Sequence, residues 1–281
     1  MKFKQRLVIS YLRTKFKLLS LVSPHKTAES AFRLFCTPYI KSRRLPAPIF
    51  NDAERIQFVY EAFTINGFRW IKAAAPKVLI LHGFSSSVYN FDRYISAFTK
   101  KGYEVLAFDA PAHGLSTGKT VNAVQYAGAI KKIIDLFGPI KGFVSHSFGG
   151  LAVCLALEDI PHDEQIKIAL IAPATETTSA IDGAFKMLRL HNKSVRKKFD
   201  EIIFRISNRA TEWFSVRRAI RNIKADILWI HDEDDDVTPI EDALKVKEDN
   251  HANINFVITK GLGHHKIYRD KRTINLVTDF I

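Results

Sequence analysis

The 281-residue chain has only two cysteines, Cys36 and Cys154, which stand far apart. Two such thiols provide neither a disulfide framework nor metal-ligand spacing, and this favours a reducing cytosol. The chain has no run of the roughly 18–20 uncharged apolar residues that a transmembrane helix needs. It also has no internal repeat and no low-complexity tract. These absences argue against a disulfide-rich secreted domain, a transmembrane helix and a repeat architecture.

Acidic residues are nearly missing from the first 50 positions, where Glu29 is the only one beside eleven lysines and arginines. The rest of the chain carries 31 basic and 28 acidic groups. The net charge of +13 therefore belongs mainly to an amino-terminal extension. Because nothing in that extension resembles a nucleic-acid module, we expect no nucleic-acid partner.

Residues 1–22 predict a helix, because apolar side chains recur near helical spacing with basic ones between them. Arg13 interrupts the apolar part and no small-residue cleavage site follows, so the segment makes a poor signal peptide. Two interpretations stay open: packing on the body, which we favour, or contact with an anionic membrane surface. We expect a cytoplasmic location, with the inner membrane face as the peripheral alternative. A second helix is predicted over Pro24–Phe35, before a Pro46-Ala47-Pro48 linker.

Segment 142–150 reads Gly-Phe-Val-Ser-His-Ser-Phe-Gly-Gly, an apolar run that enters a small-x-Ser-x-Gly turn. A strand-to-helix turn of this kind exposes its middle serine, Ser147, at the tip. Gly149 supplies one of the two small flanking residues, and Ser145 takes the place where glycine is commonest. Such a serine needs a base, usually His, and a carboxylate that orients the base. A purely structural serine is the alternative.

Candidate acids and bases follow, each at the end of a predicted strand. The apolar run 227–231 leads into an acidic run at 232–236, and 254–259 leads into Gly261-Leu262-Gly263-His264-His265. The acidic run lacks the glycine and the terminal Glu of a calcium loop, and no cluster has metal-ligand spacing. The chain order is therefore serine, acid, histidine.

With these motifs the chain resembles an α/β-hydrolase of the bacterial serine esterase/lipase type over about residues 51–281. Segment 79–84 resembles the strand and His-Gly turn of that superfamily, and segment 108–116 its Asp-x-Pro-x-His-Gly-x-Ser loop. The departure is His231-Asp232, where many relatives have His-Gly. The resemblance implies a nucleophile, an acid and a base, with one alternative each for the last two: Ser147, Asp235 (or Asp234) and His264 (or His265). It also implies an oxyanion hole formed by the backbone N–H groups of Phe84 and Phe148.

Short apolar runs alternate with helical stretches, and this predicts an α/β fold with a doubly wound, mostly parallel sheet. Two strands come first, with Asn66-Gly67 as a tight turn in or beside the second. Residues 174–223 contain no convincing strand, and an insertion at this point of the fold commonly forms a helical cap. The predicted divisions are an N-terminal helical extension over 1–50, a core over 51–173 and 224–281, and a cap over 174–223.

These features predict a serine hydrolase, without metal or cofactor, for a small-molecule carboxylic ester with a small or medium apolar acyl group. A serine rather than an aspartate nucleophile argues against a haloalkane dehalogenase or an epoxide hydrolase. The alternatives are a thioesterase or amidase, or a non-catalytic membrane-surface binding protein that retains the fold. The sequence does not give the oligomeric state. His82, His113 and His146 are expected to satisfy backbone groups rather than act as bases. Predicted pocket residues are His82, Gly83, His146, Phe185 and Trp213.

Overall fold

A computed structural model describes residues 3–39, 44–72 and 74–281, except for the side chains of residues 3–6. Eight strands form one sheet: β1 (Glu54–Tyr60), β2 (Phe63–Trp70), β3 (Lys77–Leu81), β4 (Glu104–Phe108), β5 (Gly142–His146), β6 (Lys167–Ile171), β7 (Asp226–Asp232) and β8 (Ile254–Thr259). Their order is β1-β2-β4-β3-β5-β6-β7-β8. The pairs β1–β2 and β2–β4 are antiparallel and all other neighbours are parallel. The predicted mostly parallel α/β fold is therefore confirmed.

The sheet belongs to a compact unit made of Pro38–Thr175 and Ser215–Ile281. Its central strands β3 to β7 are almost wholly buried, as expected for parallel strands that are covered on both faces. Helices of this unit follow the strands along the chain: α3 (Asp92–Lys100), α4 (Ala123–Phe137), α5 (Phe148–Leu157), α8 (Val216–Ala219), α9 (Ile240–Glu248), α10 (Gly263–Lys266) and α11 (Lys271–Phe280).

The β1–β2 hairpin lacks the tight turn that the sequence predicted at Asn66-Gly67, in or beside the second strand. Asn66-Gly67 lies inside β2, where Gly67 pairs with Ile56 on one side and with Phe108 on the other. The turn is made by Glu61 and Ala62, with Glu61 at a φ of 49°. Gly67 is needed in the strand because an added Cβ would lie 2.3 Å from the Phe108 ring. The prediction of a turn at Asn66-Gly67 was wrong, since this glycine serves strand packing.

A second compact unit joins the chain up to Thr37 with Glu176–Phe214. The predicted helix Pro24–Phe35 is confirmed, and the Ser23 side chain caps it by accepting from the Lys26 N–H. The rings of Phe32 and Phe35 of this helix pack edge-on against Phe199. The predicted cap segment overlaps this unit, and its role as a cap stays a prediction. The helices are α1 (Phe3–Val22), α2 (Pro24–Phe35), α6 (Thr177–Leu188) and α7 (Lys193–Ser207).

Within residues 3–39, 44–72 and 74–281, no helix combines the length and the apolar character that a membrane span requires.

Candidate active site

Ser147 stands alone in the turn between β5, which ends at His146, and α5, which begins at Phe148. Its backbone has φ 54° and ψ −119°, a conformation that non-glycine residues adopt only when their surroundings enforce it. Two backbone hydrogen bonds to the end of β6 and the segment that follows it hold this conformation here. The Ser147 N–H donates to the Ile171 carbonyl (3.1 Å), and the Ser147 carbonyl accepts from the Ala174 N–H (3.0 Å). The turn holds this serine at the carboxyl end of the central strand.

The residues beside the serine are small because the chain is crowded there. A Cβ on Gly149 would lie 2.7 Å from the Leu81 carbonyl oxygen. Ser145 is fully buried, and its hydroxyl donates to the Ala169 carbonyl at 3.2 Å. A serine is therefore accommodated where glycine is commonest, because its polar atom has a partner.

Three side chains from distant parts of the sequence meet at the carboxyl ends of β5, β7 and β8. His264 Nε2 lies 3.0 Å from Ser147 Oγ, and His264 Nδ1 lies 2.8 Å from Asp235 Oδ2. All three residues are buried, with Ser147 only 7% exposed. A carboxylate can only accept, so the imidazole carries its proton on Nδ1 and presents Nε2 as an acceptor to the hydroxyl.

The Asp235 carboxylate is held ionised by donors on all sides. Oδ1 accepts from the N–H groups of Val237 and Thr238, and Oδ2 accepts from the Thr238 hydroxyl and from His264. Burial on its own raises the pKa of Asp235, but its hydrogen bond and electrostatic interaction with His264, together with the hydrogen bonds from Thr238 and Val237, outweigh it and lower the pKa to about 2. The Thr238 oxygen also lies 3.1 Å from His264 Nδ1. Nothing in the sequence pointed to Thr238.

Asp232 ties the loop that carries the histidine to the end of β7. One of its oxygens accepts from the N–H groups of Asp234 and Gly263, and the other accepts from the Leu262 N–H and the Thr259 hydroxyl. Although burial raises the pKa of Asp232, these four donors lower it overall. The sequence carried a signal for this role, since Asp232 stands where many relatives have glycine, but the signal did not reveal the partners.

The backbone N–H groups of Phe84 and Phe148 have no acceptor among the described residues, and the two rings lie 5.8 Å apart. Two side chains from the segment after β4 hold the loop that follows Phe84. The Ser85 N–H donates to His113 Nε2 (2.9 Å), and the Val88 N–H donates to Asp109 (2.9 Å). Phe148 is the first residue of α5, so its N–H lies at the positive end of the helix dipole, which favours an anion.

The histidines near the turn bind backbone groups, as predicted. His82 Nε2 accepts from the Ala110 N–H at 3.0 Å while Nδ1 donates to the Gly83 carbonyl at 2.7 Å. Burial lowers the pKa of His82 to about 4, which keeps the ring neutral and able to accept. His146 Nε2 donates to the His264 carbonyl at 3.1 Å and so ties the nucleophile turn to the base. A Cβ on Gly83 would lie 2.9 Å from Ser147 Cβ, so glycine is required there.

The two alternative residues lie outside this constellation. The Asp234 carboxylate accepts from the Gly261 N–H, and the exposed His265 ring packs edge-on against His264. Neither is brought to Ser147. Phe185 and Trp213 lie in the second compact unit, where Phe185 packs on Phe199 and Trp213 packs on Phe214. Their role in a substrate pocket, like that of His82, Gly83 and His146, stays a prediction.

Comparison with known proteins gives the same superfamily. The family described as serine aminopeptidase, S33, matches residues 72–214, half of the chain. A putative esterase/lipase of Mycoplasma pneumoniae is 23% identical over 128 residues, 44% of this chain and 47% of that relative, so the match spans about half its length. A bifunctional esterase/perhydrolase of Acinetobacter calcoaceticus is 24% identical over 254 residues, 73% of this chain and 91% of that protein. An esterase structure from Pyrococcus furiosus superposes with a TM-score of 0.64 at 20% identity, covering 86% of this chain and 98% of that one. The chain therefore belongs to the serine aminopeptidase S33 family and is an enzyme of the α/β-hydrolase superfamily.

Proposed function

We propose that the protein cleaves a carboxylic ester through an acyl-enzyme formed on Ser147. The observation that carries the proposal is a pair of hydrogen bonds made by His264. Its Nε2 lies 3.0 Å from Ser147 Oγ, and its Nδ1 lies 2.8 Å from Asp235 Oδ2. This geometry gives an alcohol the base that it needs and gives the base an ionised partner. The names of the Mycoplasma and Acinetobacter relatives, both described as esterases, favour an ester as the substrate.

In the first half of the reaction, Ser147 Oγ attacks the acyl carbon while its proton passes to His264 Nε2. Asp235 stabilises the imidazolium that results. The ester carbonyl oxygen becomes an oxyanion, which the N–H groups of Phe84 and Phe148 bind. His264 then gives the proton to the leaving alkoxide, the C–O bond breaks, and an alcohol departs from the acyl-enzyme.

In the second half, water replaces the alcohol. His264 takes a proton from water as the water oxygen attacks the acyl carbon, and the same two N–H groups bind the second oxyanion. Collapse returns the proton to Ser147 Oγ and releases the carboxylic acid. Loss of one such donor costs about 10²–10³ in rate in comparable sites, so the two backbone groups supply much of the catalysis.

For the acyl group we propose small to medium apolar chains. The nucleophile is 7% exposed and the base 4% exposed, so the access to the reacting atoms is narrow. The apolar composition of segment 174–223, the cap predicted from the sequence, favours an apolar substrate over a sugar.

The test is a panel of p-nitrophenyl esters from acetate to palmitate, with Ser147→Ala as the matched control. We expect kcat/KM to peak at butanoate or hexanoate and to fall by about 10⁴-fold or more in the variant. A p-nitroanilide and an acyl thioester are assayed in parallel. Faster cleavage of either would move the substrate class to amides or thioesters, and equal rates for variant and wild type would refute catalysis by Ser147.

A further inference from the structure

Helix α1 packs through one face. Among its described side chains Phe16 is fully buried, and Ile9, Leu12 and Leu19 are partly buried with it. This face contacts α2 and α6 within the same compact unit, and Arg13 donates to the Met187 carbonyl of α6 at 2.8 Å. Packing of the helix, the interpretation favoured from the sequence, therefore holds for this face.

The opposite face of α1 is apolar as well, and it is open. Six large apolar side chains there are 56–83% exposed. At 3.6 residues per turn they fall within an arc of about 140°, on the side away from Phe16. A surface helix normally places polar residues on that side, and a contiguous apolar patch on a surface marks an interaction site. The six are Leu7, Val8, Tyr11, Leu18, Leu21 and Val22, here called the open face.

The charge on α1 has one sign. Helix α1 carries five basic residues and no acidic one, and the first acid of the chain is Glu29. Lys15 lies within the arc of the open face, and Lys17 lies about 40° beyond its edge. A second copy of the helix would place like charges against each other, whereas an anionic lipid surface complements them.

We propose that the open face of α1 binds an anionic membrane surface, with the helix lying in the plane of the interface. The six apolar side chains enter the boundary between headgroups and acyl chains, and the lysines beside them meet lipid phosphates. This proposal is independent of the reaction at Ser147, because it rests on a surface of the other compact unit.

The test is sedimentation of the full chain with vesicles of phosphatidylcholine, either alone or mixed with phosphatidylglycerol. We expect binding to the mixed vesicles only, weakened by added salt. The variant Leu18→Glu/Val22→Glu should lower the bound fraction about tenfold, because it removes apolar contact and adds repulsion. The matched control is Val59→Glu/Leu136→Glu, which makes the same charge change at exposed apolar positions of the sheet unit and should bind almost as the wild type does.

A second variant, Lys15→Gln/Lys17→Gln, separates charge from apolar contact. It should bind more weakly than the wild type and lose part of the salt dependence. Circular dichroism and the melting temperature verify that each variant is folded. The proposal is overturned if the wild type does not sediment with the anionic vesicles or if the two glutamate variants bind equally. It is also overturned if the lipid-free wild type is a dimer that Leu18→Glu/Val22→Glu converts to monomers, which would make the open face a self-interface.

Discussion

The five residues of the acidic run at 232–236 all carry a carboxylate, but their structural roles differ. Asp235 faces the imidazole of His264, whereas Asp232 accepts four hydrogen bonds that tie the loop before His264 to β7. Asp236 is exposed. Burial and partners, which depend on the fold, thus separate a catalytic candidate, a positioning residue and a solvated residue within five positions.

Replacing Asp232 by Asn should shift the position of His264, although Asp232 itself does not contact the imidazole. Whichever way the amide is turned, its NH₂ group faces an N–H donor, either that of Gly263 or that of Leu262. We expect a loss of about 1–3 kcal/mol in the free energy of unfolding, measured in urea. We also expect kcat to fall about tenfold or more with little change in KM, because His264 is displaced. The control, Asp236→Asn, should change neither quantity, and a wild-type kcat in Asp232→Asn would contradict the positioning role.

Replacing Asp235 by Asn should lower kcat about 10⁴-fold, because the amide no longer stabilises the imidazolium. The effect on stability should depend on pH. The pKa of Asp235 is about 2 in the folded protein and about 3.9 in an unfolded chain, so its ionisation stabilises the fold fully above about pH 5. That contribution is lost as the pH falls toward 2.

Urea unfolding at a series of pH values measures this dependence. The difference in free energy of unfolding between wild type and Asp235→Asn should be constant above about pH 5 and shrink between about pH 4 and 2. A difference that grows as the solution is acidified would show that Asp235 is not held ionised in the fold.

The nucleophile turn is the element on which the site depends most closely. It brings β5 and α5 so near to β3 that Gly149 has no room for a side chain. The sequence indicated this turn correctly because the demand for small residues is local. It predicted a turn at Asn66-Gly67 that is absent, because this pair is also a local signal for a turn, whereas the demand for Gly67 comes from Phe108 on another strand.

Two glycine substitutions, one at a crowded position and one at an open position, test whether crowding is the reason for glycine at Gly149. Gly149→Ala should lower the melting temperature and the activity, since the new Cβ meets the carbonyl oxygens of Leu81 and His82 at 2.7 and 2.8 Å. Gly183 lies within α6, and a Cβ added there would have no atom within 4 Å other than those of its own stretch of helix. Gly183→Ala should therefore raise the free energy of unfolding by about 0.5–1 kcal/mol. Calorimetry of both variants is the measurement. Equal stabilities would mean that the crowding at Gly149 is relieved at no cost.

At the scale of the whole molecule, the sequence predicted the mostly parallel sheet and its flanking helices. Those features follow from apolar runs and turns that are continuous in the chain. The sequence did not predict that the first helices share a compact unit with 176–214. That grouping depends on rings far apart in sequence, such as Phe32 and Phe35 against Phe199, and no local pattern reports such packing.

The central claim is that Ser147 is made nucleophilic by His264 and Asp235, and a fluorophosphonate probe tests it most directly. The probe is incubated with the wild type, with Ser147→Ala and with His264→Gln, and the modified residue is located by mass spectrometry. The account predicts an adduct on Ser147 in the wild type, none in Ser147→Ala, and labelling in His264→Gln that is slower by orders of magnitude. Labelling of another residue, or equal rates in wild type and His264→Gln, would contradict it.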